Sequence, residues 1–202
     1  MKLHEAPSPN ARRVQIFMAE KGIDYKRVRV DIRAGDNLSP EYRAKNPAGR
    51  VPVLELDDGT FLAESVAICR YLEALHPEPN LFGAPGLEQA TVEMWGRRAE
   101  FNFAQNVAGA FRNITGIFKD RETTVEAWGQ VCAEVASQAL RMFDERLAKS
   151  AYLAGDRFSI ADITLGVAVD FAEAVKVIPL RELEHIARWR AQLASRPSWS
   201  AK

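Results

Sequence analysis

Cysteine is nearly missing: Cys69 and Cys132 are the only two in 202 residues, far apart and in no C-x-x-C spacing. That excludes a disulfide scaffold and a dithiol redox motif. Histidine is as scarce, and His4, His76 and His185 are scattered along the chain, so a metal centre is not expected. A net charge is missing too, with 27 Lys and Arg against 27 Asp and Glu. The balance is local: residues 1–82 hold 12 of each sign and the remainder 15 of each. A nucleic-acid surface would show a basic excess on one segment, and there is none, nor a charged tail. No apolar run reaches the ~20 residues of a membrane span; the stretch from Ile160 to Val169 is interrupted by Asp162. Met1 to Glu5 lacks the apolar region of a signal peptide. The expectation is a cytoplasmic globular protein that engages neither nucleic acid nor membrane.

Apolar residues, by contrast, make up 47 % of the chain, enough for one core or two small ones without a staple. The first eighty residues alternate strand and helix signals. Lys2 to Glu5 reads as a short strand, ended by the turn formers Ala6-Pro7-Ser8-Pro9-Asn10. Val14, Phe17 and Met18 then share a helical face, and Gly22 is placed to stop that helix. Tyr25 to Val30 reads as strand, and Ser39-Pro40-Glu41 as a helix start with Ser as cap and Pro in the first turn. Val51 to Leu56 and Thr60 to Ala63 pair across an Asp58-Gly59 turn. Ser65 is expected to cap a third helix with Ile68, Leu72 and Leu75 facing inward.

Residues 77–86 hold three prolines and two glycines and read as a linker. Beyond it every segment is helical. Leu87 to about Phe118 is one long helix with a break near Gly109. In Thr124 to Leu147 the buried stripe is expected to hold Val131, Val135 and Phe143. Ile160 to Val177 and Arg181 to Leu193 complete the set. The expected organisation is an α/β domain over 1–76, the linker, and an all-α domain over 87–202, a split ordinary in size.

Three motifs occupy telling places: Pro7-Ser8-Pro9-Asn10-Ala11-Arg12-Arg13-Val14 at a strand-to-helix turn; Asn46-Pro47-Ala48-Gly49-Arg50-Val51-Pro52-Val53-Leu54 followed by Glu64-Ser65; and Ala154-Gly155-Asp156-Arg157-Phe158-Ser159-Ile160-Ala161-Asp162 in the helical part. Read for their chemistry, Pro52 cannot donate to a ladder and belongs at an edge or bulge. Ser159 with Asp162 is a capping-box variant, a structural device. Glu64-Ser65 at a helix start suits a group carrying both an ammonium and a carboxylate.

Together, in this order, the motifs resemble the soluble glutathione transferases, and the resemblance covers essentially the whole chain. It implies a thioredoxin-like N-terminal domain that holds glutathione and an all-helical domain that helps hold a hydrophobic second substrate, in a homodimer with Arg97, Arg98 and Glu100 as interface charges. Glutathione is then a co-substrate and no cofactor is needed. The resemblance further implies a cis peptide at Val51-Pro52 whose neighbouring backbone pairs with the bound peptide, Glu64 and Ser65 at the γ-glutamyl end, and Asn37 and Arg50 near the glycyl end.

The bound thiol must become a thiolate. A free thiol titrates near ~8.5, and lowering it by about two units takes about 2.7 kcal/mol of preferential stabilisation. A helix start supplies part of that. Ser8, which resembles the catalytic serine of serine-type members, is the first candidate for the rest, and Asn10, where some bacterial members carry cysteine, is the second. Both are also good capping residues. In an atypical branch of the family a Ser and a His on the long helix hold a water instead; the corresponding positions here are Ala108 and Arg112 or Asn113, with Thr115 as a substitute. The lack of cysteine in the turn disfavours a thiol transferase. Phe103, Asn106 and Phe111 are expected to line the electrophile pocket. A glutathione-dependent isomerase and a non-catalytic glutathione-binding or assembly protein are the alternatives.

Overall fold

The computed structural model describes residues 1–179 and 183–200. The chain forms two compact units: Met1–Asn80 joined by the described residues from Pro197 on, and Leu81–Arg196.

The first unit is built on strands β1 (Lys2–Glu5), β2 (Lys26–Arg29), β3 (Val53–Glu55) and β4 (Phe61–Ala63), with helices α1 (Pro9–Glu20), α2 (Pro40–Arg43) and α3 (Ser65–Leu75). The sheet order is β2-β1-β3-β4. β1 and β2 are parallel, and the other two pairs are antiparallel, with His4 opposite Val53 and Val53 opposite Ala63. The β1–α1–β2 crossover and the β3–β4 hairpin with its following helix are the α/β arrangement expected of this half. Leu3, Val14, Ile16, Phe17, Met18, Leu54, Ile68 and Leu72 have no exposed surface and form its interior. Leu75, expected to face inward, is 51 % exposed, because α3 ends there and His76 takes the cap.

Charged groups are also drawn inside. Lys21 closes α1 with its ammonium on the carbonyls of His76 and Pro79, at 2.7 and 2.6 Å, and on Glu73 at 2.6 Å. The segment from Pro197 returns to α1: Ser198 bonds to Glu20, and the Arg12 guanidinium donates to the Trp199 carbonyl.

The second unit comprises α4 (Leu87–Arg98), a π-helical stretch at Ala99–Ala104, α5 (Gln105–Thr115), α6 (Glu126–Leu147), α7 (Ile160–Val175) and α8 (Glu184–Ala194). Leu81 and Phe82, within the proline-rich stretch, are buried in it. The long helix is interrupted by the π stretch and runs unbroken through Gly109. Gly109 serves a close crossing instead: an added Cβ would meet Cys132 Sγ at 2.8 Å. The same closeness corrects the α6 stripe. Small residues, Gly129, Cys132, Ala133 and Ala136, face inward with Leu140, Phe143 and Leu147, whereas Val131 and Val135 are 45 % and 40 % exposed. Arg181, placed in the last helix from sequence, lies outside the described residues; Ile186 and Leu193 are buried as expected. The Ser159–Asp162 capping box is formed as read.

Candidate functional site

Strand register determines what meets at one end of the sheet. Ser8 follows β1; extending the antiparallel pair His4↔Val53 past the end of β1 leads to Val51. Extending Val53↔Ala63 by the same two residues leads from Val51 to Ser65. The β1–α1 turn, the Val51-Pro52 corner and the Glu64-Ser65 corner therefore share one end of the sheet, brought there from three separate stretches of chain.

At the first corner, Ser8 is the N-cap of α1 and its Oγ accepts from the Ala11 N–H at 3.2 Å. Its carbonyl accepts from the Arg12 N–H at 3.0 Å. Pro9 has no N–H to offer, so the Asn10 N–H is the open donor of this first turn. Capping uses a lone pair of Ser8 and leaves its own proton available to donate, so the capping role and a donor role are compatible.

At the second corner the Val51-Pro52 peptide is cis, and Val51 stands before the registered ladder rather than inside a strand beginning at that residue. The approach to it is fixed by amide side chains. Buried Asn46 donates to the Arg50 carbonyl at 2.9 Å, and the Tyr42 hydroxyl reaches the same carbonyl at 3.0 Å. Burial pushes the Tyr42 phenol up to about 12, so it remains a donor at physiological pH. Asn37 donates to the Gly49 carbonyl at 2.7 Å, which leaves its own buried Oδ1 unpartnered. Gly49 has φ +60°, and a Cβ there would meet the Asn37 carbonyl at 2.9 Å, so the turn requires glycine. Asn37 and Arg50 thus stand on either side of α2 and are drawn together through Gly49, with Arg50 exposed.

At the third corner Ser65 is the first residue of α3, and the cap position expected for it is held by Glu64. Glu64 has φ 67° and ψ 113°, a conformation that costs a non-glycine residue about 1–3 kcal/mol. Its side chain is exposed, while Ser65 is buried. In place of capping, the Ser65 Oγ accepts from Arg13 Nη1 at 2.6 Å, and that nitrogen also lies 3.2 Å from Asn10 Oδ1. Arg13 is 2 % exposed. It bridges the starts of α1 and α3, a role not evident from its sequence, where an arginine among polar helix positions reads as solvated. The only signal for it was its place in the first motif.

In the helical unit the expected residues behave differently. Phe103 has no exposed surface: the π stretch turns it into the interior, so it serves the core and not a pocket wall. Asn106 donates to the carbonyls of Phe101 and Asn102 at 3.0 and 3.1 Å, so its side chain folds back onto the π stretch. Phe111 is partly exposed and meets Phe171 edge-on at 5.1 Å. The alternative water-holding positions are committed elsewhere. Arg112 pairs with Glu122, Asn113 bonds to the Gly109 carbonyl and the Val125 N–H, and the Thr115 hydroxyl donates to the Phe111 carbonyl. Cys69 is buried and its thiol is pushed up to about 12 by burial, so it is inert. Among the described residues no group of three or more His, Cys, Asp or Glu is arranged to hold a metal ion, and no helix is long and apolar enough to cross a membrane.

Comparison with known proteins identifies the family. Residues 7–75 match the family model described as Glutathione S-transferase, N-terminal domain, and residues 117–197 match Glutathione S-transferase, C-terminal domain. The chain belongs to the glutathione transferase family. Glutathione S-transferase 2 of Saccharomyces cerevisiae is 37 % identical over 203 residues, covering 98 % of this chain and 87 % of the yeast protein. Glutathione S-transferase GstA of Escherichia coli O157:H7 is 33 % identical over 199 residues, covering 98 % and 94 %. A solved structure of a glutathione S-transferase domain-containing protein from Marinobacter aquaeolei superimposes with a TM-score of 0.94 at 41 % identity, over 98 % of this chain and all of that one. The transferase thus shares its whole fold with these relatives, thioredoxin-like half and helical half together.

Proposed function

We propose that the three corners at one end of the sheet bind glutathione as an extended peptide and hold its sulfur as a thiolate for attack on a hydrophobic electrophile. The convergence of Ser8, Val51 and Glu64-Ser65 at that end carries this reading. The sulfur lies at the start of α1, where the Ser8 hydroxyl, or the Asn10 N–H and side-chain amide, donates to it. The γ-glutamyl ammonium pairs with Glu64, and its carboxylate meets Ser65 and the start of α3. Val51 pairs backbone to backbone with the peptide, and Asn37 and Arg50 lie toward the glycyl carboxylate. The thiolate forms an S–C bond with the electrophile, and the displaced electron pair leaves with the departing group or is protonated. Asn106 and Phe111, without Phe103, are the helical unit's contribution to the apolar substrate.

In this reading glutathione is a co-substrate and the enzyme needs no resident cofactor or metal. The chain works as a cytoplasmic homodimer. Support for pairing comes from Leu87, Met94 and Phe101, exposed apolar side chains recurring every seven residues. Arg97 pairs with Glu93 and Glu100, and Arg98 lies over Trp95.

The test is the ultraviolet thiolate absorbance of bound glutathione titrated with pH in the wild type, Ser8→Ala and Asn10→Ala. The expected result is a thiol titrating well below ~8.5 that rises in one of the two variants. Glutathione bound with an unshifted thiol would sink the reading.

A further inference from the structure

Burying a guanidinium costs several kcal/mol unless its donors are matched, and Arg13 spends one nitrogen on two side chains that stand at the starts of different helices. The consequences for those side chains are specific. An asparagine whose oxygen is turned to a guanidinium presents its two N–H donors on the other side. A hydroxyl that accepts a charge-assisted bond keeps its own proton to give away, and gives it more readily. Released from Arg13, the Asn10 amide is free to turn its oxygen outward, where it would repel a thiolate.

We propose that Arg13 is a positioning residue for the transferase reaction: by holding Asn10 Oδ1 and Ser65 Oγ together, it turns the Asn10 Nδ2 toward the glutathione sulfur and the Ser65 hydroxyl proton toward the γ-glutamyl carboxylate. The proposal rests on the reading of Asn10 and Ser65 as glutathione contacts given above. Arg13 itself touches no reacting atom; it works through the two side chains, and its charge adds to the positive ends of both helices. One buried cation thereby couples the end of the peptide that must be bound to the thiol that must be ionised. Lysine does not reproduce it: its rotating ammonium lacks the two in-plane hydrogens whose fixed directions from one guanidinium nitrogen keep the two oxygens in fixed relation.

The test combines the thiolate titration with calorimetric binding of glutathione, on wild type, Arg13→Lys, Asn10→Ala, the double variant and Asn10→Asp. Arg13→Lys is expected to raise the thiol pKa by about one unit, a tenfold loss in the thiolate-to-thiol ratio, and to weaken glutathione binding several-fold. In the Asn10→Ala background the same change should leave the pKa where Asn10→Ala alone puts it, since the side chain that transmits the effect is gone. Asn10→Asp keeps an oxygen for Arg13 and loses the donor, so the protein stays folded and the thiol pKa rises. A folded Arg13→Lys protein with a wild-type thiol pKa, or additive effects in the double variant, would overturn the proposal and leave Arg13 a packing residue. Should Arg13→Lys not fold, an unchanged thiol pKa in folded Asn10→Asp overturns it equally. Wild-type protein that binds no glutathione defeats the site reading itself, and calorimetry shows this before any variant is compared.

Discussion

Trp189 donates its indole N–H to Asp162 Oδ1 at 3.0 Å, and neither side chain has any exposed surface. The same carboxylate accepts from the Leu153 N–H at 2.9 Å and from the Ser159 N–H and hydroxyl at 3.0 and 2.9 Å. One acid thus ties the start of α7 to the preceding loop and to α8.

Burial pushes Asp162 up to about 6 from 3.8, against the hydrogen bonds that favour its charged form. The folded state therefore holds this proton more tightly than the unfolded chain does. Its stabilising contribution is full below about pH 4 and is lost as pH rises to about 6, by up to about 3 kcal/mol. Denaturant midpoints measured across that range should carry this falling component, and Asp162→Asn should remove it while lowering stability overall. A pH slope identical in Asp162→Asn would show that other groups set it.

Glu64 offers a trade between stability and binding. Glu64→Gly relieves the positive φ and should raise the melting temperature by about 2–4 °C, the equivalent of about 1 kcal/mol in a chain of this size. It should also weaken glutathione about tenfold by removing the ammonium's partner. Glu64→Gln should weaken binding with no gain in melting temperature. A loss of stability in Glu64→Gly would mean that the corner is not strained.

The crossing of α5 and α6 depends on two glycines of unequal tolerance. A Cβ at Gly129 would meet Ile114 Cγ1 at 2.8 Å, Asn113 Cβ at 3.0 Å and the Ile114 backbone nitrogen at 3.1 Å, whereas at Gly109 it meets only the Cys132 side chain. Gly129→Ala should cost about 1–3 kcal/mol despite its better helix propensity, and Gly109→Ala less. Thermal unfolding of the two variants checks the order.

If the seven-residue stripe pairs two chains, light scattering should give twice the 22.5 kDa chain mass, and Met94→Glu should reduce it to one. Double mass persisting in both Met94→Glu and Phe101→Glu would place the interface elsewhere.

Much of this was legible because its causes are local. Ser39-Pro40, Asp58-Gly59 and Ser159 with Asp162 specify caps and turns within a few residues, and the structure follows them. Ser65 misled because a hydroxyl at a helix start ordinarily caps it; the cap moved to Glu64 through a backbone conformation that residue type does not announce. Phe103 departs from the expectation because a π turn shifts helical phase, and nothing in Ala99–Ala104 advertises one. Val131 and Val135 fit the helical stripe by period, yet a close crossing selects glycine, cysteine and alanine for the inner face. Arg13 is not legible in the sequence because burial of its charge depends on a partner, Ser65, about fifty residues away.

The return of Ser198 and Trp199 to α1 has a bearing on biosynthesis. A ribosome adding about 5–20 residues per second releases the thioredoxin-like segment on the order of ten seconds before the last piece of its unit exists. Until then Glu20 and Arg12 lack those contacts. The helix that carries Ser8 is consequently completed only after the whole helical unit has been translated.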